Sequence, residues 1–415
     1  MNITKLALLL VVFVDIMGQG LLYPILTTLM LDPNQPFLPA STPHSDRSLY
    51  YGLVIAAFFF SWFLGAAYIS KLSDMIGRKT GIQICLAGAF LGYALTIVSL
   101  YTNSFWLLLI GRVVTGFTAG NQPIAQAAMI DLSTSEQEKT SNLGYIVAAA
   151  SLGLVAGPIL GGVLSDHAVL GSYASLTLPF YVAIGLIAVT MALVALFFWD
   201  KHQDRRQFKF EPLEMFLVLW RVAQRPAILR ISLVFFCFMF FLNTFLVFMD
   251  SYLTDRFGYG TFMNSMAMMT FGACVAVAGP FLPSILERHT TKRRIVVLGL
   301  ALFAGAALAF VTVPAGLLTF IPIAVFALAF AVGYPTFLSI FSLSVGETEQ
   351  GWVMGVTTAL FTLGAGLTAL AGGEAMSLDI RLPFFYGSAV AGLAILLVFA
   401  TWGYPAVQKI VGGRR

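Results

Sequence analysis

Twelve apolar stretches of about twenty residues run through this chain, the length a helix needs to cross the roughly 30 Å hydrocarbon core of a bilayer. They lie near 5–31, 48–72, 79–101, 104–131, 141–165, 176–199, 229–254, 261–286, 294–313, 316–342, 352–373 and 382–404. In lipid every backbone polar group must be satisfied within the protein, so stretches this long cross as helices. The expected fold class is an all-α polytopic membrane protein with 12 transmembrane helices. A chain that is 59% hydrophobic and 10% charged, with a mean hydropathy of +0.89, is no soluble globular domain.

The cations orient these spans. With both termini cytoplasmic, 19 of the 23 Lys and Arg residues fall on the cytoplasmic side, leaving Arg47, Arg256 and Arg381 opposite and Arg112 inside a span. The net charge of +4 therefore reports orientation in the bilayer, and no basic patch interleaved with aromatics points to nucleic acid as a partner. Cys85, Cys237 and Cys274 lie within spans without paired spacing, so neither disulfides nor a metal site is expected. The first segment runs on through Asp15 and Pro24 with no small-residue cleavage site and reads as a retained helix.

Two ionisable groups stand out by depth. Asp15 lies about 15 Å along the helix axis from Lys5, near mid-membrane, where a charge is costly and marks a proton or substrate path. Arg112 lies in the fourth span, on one helical face with Thr115, Ala119, Gln122 and Gln126. A buried guanidinium needs a counter-charge, so the two helices are expected to face each other across a cavity, with Asp15 carrying the proton and Arg112 tuning its affinity. The expected substrate cavity takes in Gln19 and Tyr23 of the first span with Thr115, Gln122 and Gln126 of the fourth. In the seventh span Phe236, Phe240, Asn243, Val247 and Asp250 recur at helical spacing, and Phe330, Tyr334 and Phe337 of the tenth offer a facing aromatic wall. Apolar stripes are usually core; Asn243 and Asp250 tilt this one toward a cavity wall, and Asp250 also stands near enough to the span end to reach the outer interface.

Outside the spans, the external loop 32–47 carries Pro33, Pro36, Pro39 and Pro43 and reads as an irregular lid or tether. Between the second and third spans Ser70-Lys-Leu-Ser-Asp74-Met-Ile-Gly77-Arg78-Lys79 forms a tight turn that Gly77 permits. Asp74, Arg78 and Asp131 can make an ion-pair cluster there that biases a two-state equilibrium. The polar stretch 200–228 reads as a cytoplasmic linker, anchored on the inner leaflet by Leu213, Phe216 and Leu219. It divides an N-terminal six-helix bundle, 1–199, from a C-terminal one, 229–415.

The halves are related. A shift of 211 residues lays Asp131–Glu138 on Ser342–Glu349 with four identities, and carries Gly144, Gly153, Gly161 and Gly162 onto Gly355, Gly364, Gly372 and Gly373. The same shift replaces Arg112 by Ile323 and Gly157-Pro158 by Thr368-Ala369, so the charge chemistry and the proline belong to the first half. Gly153, Gly157 and Gly161 share one helix face and permit close approach of another backbone, while Pro158 frees the carbonyl of Leu154 and is expected to bend or loosen the helix.

These residues resemble the major facilitator superfamily over essentially the whole chain. Ser70–Lys79 is similar to its loop signature, with Ser70 for the usual Gly and Met75 for the usual Arg, and Arg112 with Gly116 is similar to its fourth-helix signature. Gly153, Gly157, Pro158, Gly161 and Gly162 resemble the antiporter signature of the fifth helix, whereas the second-half loop Glu287–Arg294 is degenerate. Asp15-Ile-Met-Gly with Pro24, and Asp131 before Glu136, look most like the tetracycline-efflux branch of the twelve-helix drug:proton antiporters. The resemblance implies two pseudo-symmetric six-helix bundles, alternating access at a cavity lined by helices one, four, seven and ten, and an Asp74–Arg78–Asp131 cluster that holds the outward-open state. It implies a small amphipathic substrate, a proton as co-substrate, no cofactor, a monomer and a bacterial inner membrane. The alternatives are a proton-coupled transporter of a metabolite or siderophore in which Arg112 binds an anionic group, a non-transporting sensor, and a membrane enzyme. No phosphate loop, HExxH or His–carboxylate constellation supports the enzyme.

Overall fold

The apolar stretches become helices, and the computed structural model, which describes residues 3–199, 214–346 and 349–412, has no strand among them. The helices are α1 (Ile3–Leu31), α2 (His44–Ile76), α3 (Arg78–Thr102), α4 (Phe105–Phe117), α5 (Asn121–Asp131), α6 (Glu136–Ser165), the short α7 (His167–Leu170), α8 (Leu178–Phe197), α9 (Glu214–Ala223), α10 (Pro226–Phe257), α11 (Thr261–Ala278), α12 (Leu282–His289), α13 (Lys292–Thr312), α14 (Phe320–Leu343), α15 (Gln350–Leu378), α16 (Leu382–Thr401) and α17 (Pro405–Val411). Contacts gather them into two units, residues 1–212 with 258–269, and residues 213–257 with 270–415.

Among the described residues eleven helices are long and apolar enough to cross a membrane. The fourth expected span, 104–131, is missing from that set because it is two helices: the chain leaves helical geometry at Thr118–Gly120 and restarts at Asn121. The expected span 261–286 is also interrupted, at Gly279–Phe281 between α11 and α12. In the second unit the counterpart of the fourth span, α14, runs unbroken through Ala329–Ala331.

In the first unit glycines decide how closely helices approach. A methyl group at Gly153 would lie 2.6 Å from the carbonyl oxygen of Phe13, and methyls at Gly157 and Gly161 would collide with the carbonyl oxygens of Met17 and Leu21. The glycine face of α6 thus lies directly on the backbone of α1, four residues per step on both sides. Pro158 packs on Gly20, and α6 remains helical through it. Gly65 and Gly116 play the same part between α2 and α4. The second unit packs differently: a methyl at Gly364 would meet Phe236 and Phe240 at an ordinary 3.6 Å, and the core of α10, α13 and α14 is a stack of phenylalanines, with Phe303 and Phe326 at 4.1 Å and Phe245 and Phe326 at 4.0 Å.

The loop before α2 is less irregular than its four prolines suggest. Arg47, only 2% exposed, donates to the carbonyls of Met30, Asp32, Pro39 and Thr42 and so gathers the loop around itself. The stretch 200–213, including the expected anchor Leu213, lies outside the described residues. Of the other two anchors, Phe216 is exposed on α9 beside Leu217 and Trp220, whereas Leu219 is half-buried.

Candidate functional site: a polar cavity beside a broken helix

The break in the fourth span creates something a continuous helix does not offer, a second helix N-terminus inside the first unit. Gly120 permits the interruption at a place where α2 comes close, since a methyl there would sit 2.8 Å from Ile69. Pro123, in the first turn of α5, needs no backbone donor and favours a helix start. The Asp15 carboxylate of α1 faces the side chain of Asn121 and the backbone N–H of Gln122, the first two residues of α5. It therefore occupies the positive end of the half-helix, where a carboxylate is favoured.

Asp15, Gln19, Arg112, Thr115, Ala119 and Asn121 line a cavity of about 20 Å³, closed by Phe58 and Tyr93. That volume holds about one water molecule. Arg112, 5% exposed, lies with its guanidinium carbon 4.2 Å from the centre of the Phe58 ring. The two expected partners thus share the cavity without pairing: among the described residues Arg112 makes no ion pair, and Asp15 lies against the start of α5. Three buried polar atoms of this lining, Gln19 Nε2, Arg112 Nε and Asn121 Oδ1, have no protein partner.

The lining of this one-water cavity takes in only part of the expected substrate residues. Tyr23, Gln122 and Gln126 are not part of it. The stripe drawn from Arg112 to Gln126 assumed one helix, and the three-residue break puts α5 out of register with α4. Asn121, Tyr93 and Phe58 were not foreseen; the run Gly120-Asn-Gln-Pro123 was the available sign of a helix start. Thr115 turns its hydroxyl back to the carbonyls of Gly111 and Arg112.

In the second unit Phe330 and Tyr334 stack at 5.3 Å, and each remains half-buried, as does Phe240. Asn243 is buried and donates to the carbonyl of Met239 at 2.7 Å, and Asp250 is fully buried. Phe337 and Val247 are core residues and not part of a wall, with Phe337 packed on Phe235 and Phe238.

The end of α2 and the start of α3 bring the charged cluster together. Gly77 links the helices at φ 97° and ψ 148°, a conformation open essentially to glycine alone. Arg78 then pairs with Asp74, donates to the Ser73 hydroxyl at 3.2 Å, and lies 3.6 Å from Asp131 at the end of α5. Sequence reasoning missed a neighbouring pair. Lys5 lies 2.6 Å from Glu138, whose other oxygen accepts from the Thr134 N–H and hydroxyl, and together these contacts hold the Glu138 carboxyl down to about 2.

The comparisons fit this architecture. The family model described as Major Facilitator Superfamily matches residues 8–369. The class D tetracycline resistance protein of Salmonella ordonez is 26% identical over 372 residues, 88% of this chain and 87% of that protein. The quinolone resistance protein NorA of Staphylococcus aureus is 25% identical over 393 residues, 93% of this chain and 94% of its own. Among solved structures, the human organic anion transporter MFSD10 superposes with a TM-score of 0.70 at 20% identity over 95% of this chain and 99% of that one, and a D-xylose–proton symporter with 0.74 at 13% over 100% of both. With helices long enough to cross a bilayer and a family match over most of its length, the chain is an integral membrane transporter belonging to the major facilitator superfamily.

Proposed function

We propose that this transporter is a proton-coupled exporter of small amphipathic molecules that works by alternating access. The observation that carries the reading is the Asp15 carboxylate, set in the interior of a membrane helix at the start of the half-helix α5, in one cavity with the Arg112 guanidinium. Moving that guanidinium toward or away from the carboxyl changes its proton affinity. A proton and a substrate that compete for one such site exchange for each other. Asp74, Arg78 and Asp131 act as the gate that favours one of the two access states, and the half-buried pair Phe330 and Tyr334, with Phe240, supplies aromatic contact to the substrate. The relatives named for resistance to tetracycline and to quinolones support an amphipathic, ring-bearing substrate. They do not favour uptake or export of a metabolite or siderophore. In this reading the proton gradient is the only energy source, one chain suffices, and both termini are cytoplasmic at a bacterial inner membrane.

The test is efflux of tetracycline from proteoliposomes under an imposed pH gradient. Wild-type protein is expected to drive it, and Asp15→Asn to reduce it to passive leak while the protein remains folded. Gradient-driven efflux at the wild-type rate in Asp15→Asn overturns the proposal.

A further inference from the structure

A groove of about 840 Å³ opens at the start of α13, bounded by the ends of α16 and α17. Its size is that of a ligand site, yet its two ends differ in chemistry. Arg293 and Arg294, in the first turn of α13, and Gln408 of α17 line it together with Val297 and Leu298, one turn further along α13, and Phe399 of α16. Leu298 and Phe399, 51% and 59% exposed, belong to helices that qualify as membrane spans, so the apolar end faces hydrocarbon. The guanidinium of Arg293 lies 5.3 Å from the Phe399 ring centre, at the junction of the two ends.

Beyond orienting the span as cytoplasmic cations, the two arginines have no charged partner among the described residues. Lys292 is paired with Glu287 at 2.7 Å, whereas neither Arg293 nor Arg294 is in an ion pair among the described residues. Three cations in the first turn of a helix oppose its dipole, so their placement does not serve the helix. An arginine pair at the water boundary with an apolar trough leading into the membrane matches a molecule that is anionic at its head and hydrocarbon in its tail. Basic pockets between membrane helices take such headgroups.

We propose that this groove binds one anionic phospholipid, with its phosphate on Arg293 and Arg294 and an acyl chain along Val297, Leu298 and Phe399. Gln408 donates to the headgroup from α17, so the bound lipid ties this terminal helix to α13. A zwitterionic lipid is disfavoured because its ammonium meets the same two guanidinium groups.

The experiment uses the full-length protein in detergent, titrated with phosphatidylglycerol, with phosphatidylcholine of the same chains and with inorganic phosphate, and read by native mass spectrometry and thermal shift. One phosphatidylglycerol is expected to bind and raise the Tm, with phosphatidylcholine about tenfold weaker or worse. Replacing both cations (Arg293→Gln with Arg294→Gln) is expected to weaken phosphatidylglycerol about thirtyfold. Should that pair fail to fold, Val297→Trp, which fills the trough and keeps both arginines, is expected to weaken the lipid too. Equal binding of the two lipids, or wild-type affinity in either variant, overturns the proposal. Inorganic phosphate that competes at the lipid's own concentration with the same arginine dependence makes this a free-anion site and overturns the lipid assignment.

Discussion

Gly153 and Gly364 occupy matching positions in the internal repeat, and their surroundings say opposite things about what an added methyl does. At Gly153 it meets a backbone carbonyl at 2.6 Å, which cannot move without shifting α1; at Gly364 it meets Phe236 and Phe240 at 3.6 Å. Gly153→Ala is expected to destabilise by about 1–3 kcal/mol. Gly364→Ala stays within about 0.5 kcal/mol of wild type, because an alanine's better helix propensity offsets what little crowding there is. Thermal unfolding of the two purified variants checks the contrast. The glycines themselves were legible in the sequence by their four-residue spacing, and so was the shared cavity of Asp15 and Arg112, since an ionisable group at mid-membrane depth has few places to go. Asn121 was not, because it looks like one more polar residue of a stripe until the chain is known to break just before it. Arg47 was counted as an external cation; its role as the hub of four loop carbonyls depends on a loop path that no periodicity encodes.

Among the elements, the start of α6 is secured twice. Ser135 caps it by accepting from the Glu138 N–H at 3.2 Å, and Glu138 reaches back to Thr134 and across to Lys5 at the start of α1. The carboxyl of Glu138 is held near 2 against an ordinary 4.5, first by Lys5 and then by Thr134. A depressed carboxylate adds stability that is fully present above its ordinary value and is lost as pH falls through the folded one. The Tm difference between wild type and Glu138→Gln is therefore expected to be constant above about pH 4.5 and to vanish toward about pH 2; a difference that persists unchanged at low pH refutes this role. The second half repeats the device. Glu349, 211 residues on from Glu138, takes the fork of Arg225 at 2.5 and 2.7 Å just before α10, and Arg225 also covers the Trp352 ring at 4.9 Å. Each partner stabilises the other's charge, so the Glu349 carboxyl is lowered and the Arg225 guanidinium raised. The repeat aligned the two glutamates, but their partners lie more than a hundred residues away in sequence and were not legible.

For the whole molecule, length of apolar run carried the fold: among the described residues eleven of the twelve expected spans hold a helix long and apolar enough to cross, the eighth ending at Ala278 where 261–286 was expected to run on. The two halves share a plan and divide its chemistry. The first half keeps glycine-faced helices, the interrupted helix and the Asp15–Arg112 cavity; the second keeps an unbroken α14, with Ile323 where Arg112 stands, and a phenylalanine core. A period of 3.6 residues shows which face is polar but is blind to a three-residue interruption, and this is why the fourth span was drawn whole.

That interruption also bears on how the chain enters the membrane during synthesis. With 13 and 11 residues, α4 and α5 are about 20 Å and 17 Å long, so neither spans the roughly 30 Å core by itself. Arg112 near the middle adds about 2.5–3.5 kcal/mol against insertion. Grafted alone into a host protein as a test segment, residues 104–131 are expected to insert poorly, whereas 294–313 inserts almost completely; a glycosylation-site reporter separates the two outcomes. In its own protein the fourth crossing arrives after α1, α2 and α3, whose Asp15 lines the cavity that takes Arg112 and whose Gly65 and Gly92 leave room for its close approach. The order of synthesis thus delivers the receptor for the weakest segment before the segment itself leaves the ribosome.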